Sequence, residues 1–317
     1  MNTKIDLSKK TKKKKSIFFK IGISLLSILI ILIVIGIGTF YSFFNKVDKV
    51  KIDTTKLNIN EKDLDKYQEI KNIKNIAFFG IDAEDGQAGR SDAIIILTID
   101  STHKKLKLTS IMRDSYVNIE GHGMDKINHA YAFGGPELAI QTINTNFGLN
   151  IEDFVSVNFS SLPKIIDLLG GVDINITAEE VPHIQGIDIE GPHTLTGEQA
   201  LSYSRIRYAT GGDFVRTDRQ RTVLNSLLSK FSQMPVTSYP ELISTILPHV
   251  KTSMNTSDIL SLATKSASLV DTGLKQDRYP HDEDAEGIML DGIYYLSFDL
   301  DKVKKEMMDY IFDDSVE

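Results

Sequence analysis

The chain of 317 residues carries eight arginines against twenty-eight lysines, and seven of the eight arginines fall in three short motifs. Arg90 lies in "GRSD", Arg113 in "IMRDSY", and Arg205, Arg207, Arg216, Arg219 and Arg221 in "LSYSRIRYATGGDFVRTDRQRTVL"; only Arg278 stands apart. Lysine does the generic surface work, so arginine is reserved for a geometric task. The planar guanidinium grips a phosphate with two parallel hydrogen bonds, which an ammonium cannot do. For any single arginine an ion pair is the simpler account. For Arg90, Arg113, Arg205, Arg207 and Arg216 together, an anion site is the better one.

Carboxylates interleave with these arginines: Asp82 in "GID", Asp92 in "RSD", Asp114 in "MRD" and Asp213 in "GGD". Magnesium prefers one or two carboxylates plus phosphate oxygens and water, so the set suits a phosphate–metal site. The same aspartates also suit ion pairs or loop caps. "DKINHAYAFGG" places Lys126, Asn128 and His129 just before a helix, compatible with lining the site or with stabilising a loop. Other chemistries are excluded. There is no cysteine, hence no thiolate nucleophile or thiolate metal site. The histidines show no metal-ligand spacing. "GIDAEDGQAG" lacks the lysine and the serine or threonine of a nucleotide-binding P-loop.

These residues need elements to position them. "IAFF" and "AIIILTI" read as buried strands and "KLKLTSIM" as a third, joined by the polar turn "DSTHKK". "GGPELAIQTINTNFGL" predicts a helix with Pro136 at its first position and Gly148 at its stop. "SLPKIIDLLGG" predicts another, "VDINI" a strand, and "TGEQALSY" a short helix leading into "SRIRY". That last segment reads as a strand, which would point Arg205 and Arg207 to one face. "RTDRQRTVLNSLLSKF" predicts a long amphipathic helix with Arg216 and Gln220 on one face, Arg219 beside them, and Arg221 turned to solvent. Two further helices and a strand–helix pair complete the chain. Interleaved strands and helices predict an α/β class, an α/β/α sandwich around a central mixed sheet. Open sheets of this kind bind ligands at their strand ends.

The amino terminus is separate. Residues 1–20 hold eight lysines and one aspartate, and residues 21–44 are 24 without a charge. A helix needs about 20 apolar residues to cross a bilayer. Lysine on the amino side puts that end in the cytoplasm. The length, and the aromatic ending "TFYSFF", favour an anchor over a cleaved signal peptide. Residues 45–71 read as a stalk and 72–317 as the outer domain. Removing the tail's +7 from the net −7 leaves −14. So acidic a body argues against a nucleic-acid partner.

Five strings in order, "NIAFFGIDAEDGQAGRSDAIIILTID", "SIMRDSYV", "DKINHAYAFGGPELAI", "LLGGVDINI" and "HTLTGEQALSYSRIRYATGGDFVRTDRQRTVL", make the chain resemble the LytR–CpsA–Psr family. The resemblance covers about residues 75–224 and is specific as a set. It implies a membrane-anchored phosphotransferase outside the cell of a Gram-positive-type bacterium. Such an enzyme moves a glycopolymer (teichoic acid, capsule or similar) from a polyprenyl-pyrophosphate carrier to a muramic acid hydroxyl of peptidoglycan. It further implies an apolar pocket for the prenyl tail, a pyrophosphate clamp of Arg90, Arg113, Arg205, Arg207, Arg216 and Gln220, and Mg2+ (or Mn2+) on Asp82 and Asp92. The proton acceptor is then Asp92 or Asp82, with Asp213 as the further candidate. Some members carry another arginine four residues after the Arg113 position; here Val117 stands there. A regulator of envelope genes and a pyrophosphatase on the same lipid are the rival readings. The membrane orientation keeps the body away from DNA, and water attacks phosphorus as a sugar hydroxyl does.

Overall fold

The computed structural model describes residues 48–67, 70–83, 89–206 and 212–313, with the side chains of residues 48, 212–214, 236 and 270–273 left aside. The expected lysine tail and membrane helix lie outside the described residues. So does Arg207. Asp213 enters only through its backbone. Among the described residues, no helix is long and apolar enough to cross a membrane.

The first part of the chain holds β1 (Asp48–Lys49), α1 (Glu61–Leu64), β2 (Ile73–Asp82), β3 (Arg90–Asp100), β4 (Lys105–Ile111), β5 (Tyr116–Ile119), β6 (Gly123–Lys126) and α2 (His129–Phe147). The middle part holds β7 (Asp153–Asn158), α3 (Leu162–Leu168), β8 (Val172–Ile176), β9 (Gly191–Leu195), α4 (Gly197–Ser204) and α5 (Gly212–Gln233). The last part holds α6 (Tyr239–Ile246), β10 (Val250–Thr252), α7 (Thr256–Gly273), β11 (Leu274–Tyr279), β12 (Ala285–Leu290), β13 (Ile293–Phe298) and α8 (Leu300–Phe312).

Seven strands form one sheet in the order β1-β10-β7-β2-β3-β4-β11. β3 runs antiparallel to β2 and β4, whereas β7 lies parallel to β2 and β11 parallel to β4, so the sheet is mixed. The alternation of β2 and β3 sorts side chains to two faces. Ala77, Phe79, Ile94 and Ile96 pack with Ile140 and Phe147 of α2 and Met307 and Ile311 of α8. Ile76, Phe78, Ile95 and Leu97 pack with Leu224 and Leu228 of α5 and Ile259 and Leu262 of α7. Burying each such side chain is worth about 1.5–3 kcal/mol, so both faces need their helices. The expected three layers around a mixed sheet are present. "VDINI" is a strand, but it pairs with β9 in a small separate sheet rather than joining the large one. Its core, with Ile166, Val172, Ile174 and Tyr203, supports α4 and α5 from the side.

Local signals explain the element ends. Thr196 caps α4 through Gln199 N–H while the Gln199 side chain returns to the Thr196 N–H, a reciprocal capping box. α2 breaks at Gly134 and Gly135 before Pro136 and stops at Gly148, which is left-handed at φ 69. The expected helix thus forms from Pro136, with one more helical turn before it. Residues 48–67 differ from the expected stalk: β1 pairs with β10, and Leu57, Leu64 and Tyr67 are buried in the core. Tyr67 also donates to Asp309 at 2.8 Å. Apolar residues this sparse read as a linker in sequence, yet three of them suffice to fasten the segment.

Candidate functional site

The carboxyl end of β2, the start of β3 and the end of β4 meet at one edge of the sheet, because β3 runs opposite to its neighbours. Asp82, Arg90, Asp92 and Arg113 therefore share that edge. Ile81 pairs with Ser91 and Gly80 with Ala93, so Asp92 is an extra residue in β3. Such a bulge leaves its residue outside the ladder and re-aims its side chain.

Asp92 is 8% exposed. Arg113 Nη1 donates to its Oδ2 at 2.8 Å, and Asn128 Nδ2 donates to its Oδ1 at 2.9 Å. Arg113 Nε reaches Asp114 Oδ2 at 3.3 Å, and Lys126 Nζ donates to Asp114 Oδ1 at 2.7 Å. Two carboxylates and two cations alternate in one buried network, which holds the Arg113 fork in place. Backbone bonds lock it: Ser91 N–H donates to Asn128 O and Asn128 N–H to Arg113 O, each at 3.3 Å. Lys126 and Asn128, which the sequence left between two roles, hold this network together. His129 instead pairs through Nδ1 with Asp125 at 2.8 Å.

Arg205 is not on a strand. It caps the carboxyl end of α4 with φ −101 and ψ −4. The capping box sets α4 running as far as Ser204, and helical geometry outlasts the strand-like pattern of "SRIRY". Arg205 lies over the Phe159 ring at 5.1 Å, with Nη2 3.8 Å from Asp82 Oδ1. Both side chains are about half exposed, so the contact is loose and open to exchange for a phosphate. Arg90 is exposed at the start of β3, opposite Asp82 in the ladder.

α5 brings the second arm. Thr217 Oγ1 meets Met112 Sδ at 3.5 Å, so the neighbours Arg216 and Arg113 come to the same end of the sheet. Arg216 is 3% exposed, and Gln220, one turn on, lines a cavity. Arg219 serves the fold: Nε donates to Glu180 Oε1 at 2.7 Å and Nη1 to Ile206 O at 3.2 Å, all buried. Burial first, then the Glu180 charge, push the nearby Tyr203 hydroxyl up to about 12, so it stays a neutral donor. Arg221, expected in solvent, is buried against Asp218 near Asp277 and Arg278. Those last two lie on β11, a strand the sequence did not announce, and that strand is why Arg221 is covered.

Beside the arginines opens an apolar cavity of about 110 Å³, lined by Gly80, Ala93, Phe159, Gln220, Val223 and Leu227 among others. A second cavity of about 220 Å³ shares Phe78 and Val155 with it and continues between Leu228, Ile243 and Ile259. Both lie between the sheet and α5, α6 and α7. A Cβ at Gly80 would stand 2.9 Å from Ala93 Cβ and from Phe159 Cε1, so the glycine keeps the first cavity open. Phe159, absent from the sequence reading, joins the cavity to Arg205; an aromatic after a strand carries no signal of that role.

The LytR_cpsA_psr family model matches residues 37–309. The chain belongs to the LytR–CpsA–Psr family. It is 33% identical over 302 residues to the polyisoprenyl-teichoic acid–peptidoglycan teichoic acid transferase TagU of Oceanobacillus iheyensis, covering 90% of this chain and 91% of that one. It is 36% identical over 196 residues to the regulatory protein MsrR of Staphylococcus aureus, covering 60% of each. Among solved structures, TagT bound to LIIa-WTA superposes with a TM-score of 0.65 at 28% identity, over 77% of this chain and 93% of that one. TagT with bound octaprenyl pyrophosphate lipid gives 0.64 at 25%, over 83% and 99%.

Proposed function

We propose that this LytR–CpsA–Psr protein transfers a teichoic-acid-type glycopolymer from a polyprenyl-pyrophosphate carrier to a peptidoglycan hydroxyl. One observation carries the reading. A cluster of arginines and aspartates stands beside two neighbouring apolar cavities that share Phe78 and Val155 in their walls, which suits a ligand with a pyrophosphate head and a hydrocarbon tail. The transferase names of its relatives and the lipid-bound TagT structures support it.

The tail lies in the two cavities between the sheet and α5–α7. Arg113, Arg205 and Arg216 neutralise the pyrophosphate, with Arg90, Arg207 and Gln220 completing the clamp. The acceptor hydroxyl oxygen attacks the phosphorus that carries the glycan. A new P–O bond to the sugar forms, the P–O bond of the pyrophosphate bridge breaks, and polyprenyl phosphate leaves with the bridging oxygen. Positioning and charge stabilisation supply most of such a barrier reduction. The hydroxyl proton goes to a carboxylate. Asp92 is engaged on both oxygens by Arg113 and Asn128, whereas Asp82 is half exposed and, among the described residues, meets only the loose Arg205 contact. We assign the proton to Asp82 and the orientation of Arg113 to Asp92, with Asp213 as the remaining candidate.

Asp82 and Asp92 also suit a magnesium or manganese ion. Asp82 is open, and each Asp92 oxygen retains a second lone-pair direction. Such an ion would neutralise phosphate charge at that point. The 24 uncharged residues 21–44 support an anchor that crosses the membrane once, with the domain outside.

The test uses the full-length protein in detergent micelles with a synthetic polyprenyl-pyrophosphoryl glycan, magnesium and a peptidoglycan oligomer. Covalent glycan–peptidoglycan product is expected. Released glycan phosphate without that product would instead make the protein a pyrophosphatase, and no turnover at all would overturn both.

A further inference from the structure

The two-stranded sheet β12–β13 has no role in the site described so far, yet it is fastened to it. Ser115 and Leu296 form a parallel bridge, and Leu296 N–H donates to Asp114 O at 2.9 Å. The hairpin thus grows from the two residues that follow Arg113. Its tip exposes large side chains: Met289 is 62% exposed, Ile293 49% and Tyr294 44%. β6, which packs against β13, adds Met124 at 51%. Met289 and Tyr294 are partners in the ladder and share one face of the hairpin, and exposed apolar surface of this kind marks an interaction site.

The Tyr294 ring is held in a set orientation. A Cβ at Gly287 would stand 2.7 Å from Tyr294 Cε2, so only glycine lets the ring lie across the neighbouring strand. Lys126 Nζ stands 6.0 Å from the Tyr294 ring centre and 5.7 Å from that of Tyr295. That same ammonium bonds Asp114, which bonds Arg113. From the Tyr294 ring to the catalytic edge is therefore a path of one lysine and one aspartate.

We propose that this hairpin is the docking platform for the acceptor glycan strand, with the Tyr294 ring as the surface on which a sugar stacks. The proposal rests on the transfer reading above and deepens it. The apolar cavities lie on the sheet face covered by α5 and α7. The hairpin joins the opposite side: Phe298 stacks near Phe147 of α2, and β13 packs on β5 and β6. In-line displacement at phosphorus requires the incoming oxygen opposite the leaving one. With the prenyl phosphate departing toward the cavities, the acceptor comes from the hairpin side.

The side of approach and the chemistry of the patch select a glycan as the occupant. Asp125 and Asp291 stand close to Tyr295, beside the patch. A sugar offers C–H faces to a tyrosine ring and hydroxyl donors to carboxylates.

The test measures binding of a muramic-acid-containing tetrasaccharide to the full-length protein in micelles without donor, and transfer kinetics with it. Tyr294→Ala is expected to weaken tetrasaccharide binding and raise the acceptor KM about tenfold, with donor KM unchanged. Tyr294→Phe keeps the ring and stays near the parent. Gly287→Val keeps the tyrosine but displaces its ring, and weakens the acceptor likewise. Unchanged tetrasaccharide binding and acceptor KM in Tyr294→Ala, alongside continuing transfer, overturns the platform and leaves the transfer reading standing. Tyr294-dependent tetrasaccharide binding with no covalent product supports the platform and overturns the transfer reading. No tetrasaccharide binding by the parent protein overturns the platform. So does a loss of binding to anionic vesicles in Tyr294→Ala with the acceptor unaffected, which assigns the face to the bilayer.

Discussion

Arg113 Nη1 donates to Asp92 Oδ2 at 2.8 Å, and Asp92 is the extra residue of a bulge. The sequence motifs "RSD" and "MRD" are thereby one device: a bulged aspartate holds the arginine that we assign to the phosphate. Asn128 completes it from the other oxygen. Hydrogen bonds to charged groups contribute about 1.5–3 kcal/mol. Asn128→Ala should release Asp92, let Arg113 drift and lower kcat about 10- to 100-fold. Asn128→Asp sets a second carboxylate against Asp92 and should be worse. Steady-state transfer kinetics, with circular dichroism to verify the fold, check the order parent, Ala, Asp.

Gly80 lines the apolar cavity beside Phe159, over which Arg205 lies. Its missing Cβ leaves room beside Ala93, which cannot retreat, and Phe159, which can. Gly80→Ala should push the Phe159 ring into the cavity and disturb Arg205 above it. Overpacking of this kind costs about 1–3 kcal/mol. The expected result is a higher KM for long-chain donors and a smaller change for a donor with a truncated prenyl tail. Equal effects on both chain lengths would place the damage elsewhere.

The sheet's centre was legible because β2, β3 and β4 are apolar runs flanked by turn residues. Its margins were not. β11 reads "LKQDRY", a parallel edge strand with a polar face, and β1 has two residues. Neither leaves a periodic trace. Missing β11 then misplaced Arg221, since solvent on that side of α5 is an illusion once Asp277 and Arg278 are present. Arg205 stands out as a clamp candidate but reads as part of a strand, because alternation in "SRIRY" mimics a pleat where a capped helix in fact ends. The candidate carboxylates were visible by their motifs. Their division of labour was not, because it depends on Asn128 and Lys126, whose bonds span 36 and 12 residues.

Arginines of the fold and of the site should separate in a stability assay. Arg219 and Glu180 form a buried pair whose second carboxylate oxygen accepts Thr177 N–H at 2.9 Å. Removing one partner of such a pair costs about 3–5 kcal/mol. Arg219→Ala should therefore lower Tm strongly and lose activity through unfolding. Arg205, half exposed, forms a loose pair worth at most about 1 kcal/mol. Arg205→Ala should keep its Tm and lose transfer. Differential scanning fluorimetry beside the transfer assay distinguishes them, and full activity of folded Arg205→Ala would remove Arg205 from the clamp.

The Asp125–His129 pair gives the region before α2 a pH dependence with a defined sign. Burial acts to raise the Asp125 carboxyl, but His129, the Lys126 backbone N–H and Tyr295 outweigh it and hold the group below its ordinary value. A carboxyl depressed in the folded state stabilises above its unfolded pKa, near about 4, and that contribution fades as pH falls through the folded value. The parent protein should thus be more stable than Asp125→Asn at about pH 6, and the gap should close toward about pH 3. Thermal unfolding of both proteins across that range measures it. A gap that widens on acidification would mean that the carboxylate is held by no favourable partner, contrary to the 2.8 Å contact with His129 Nδ1.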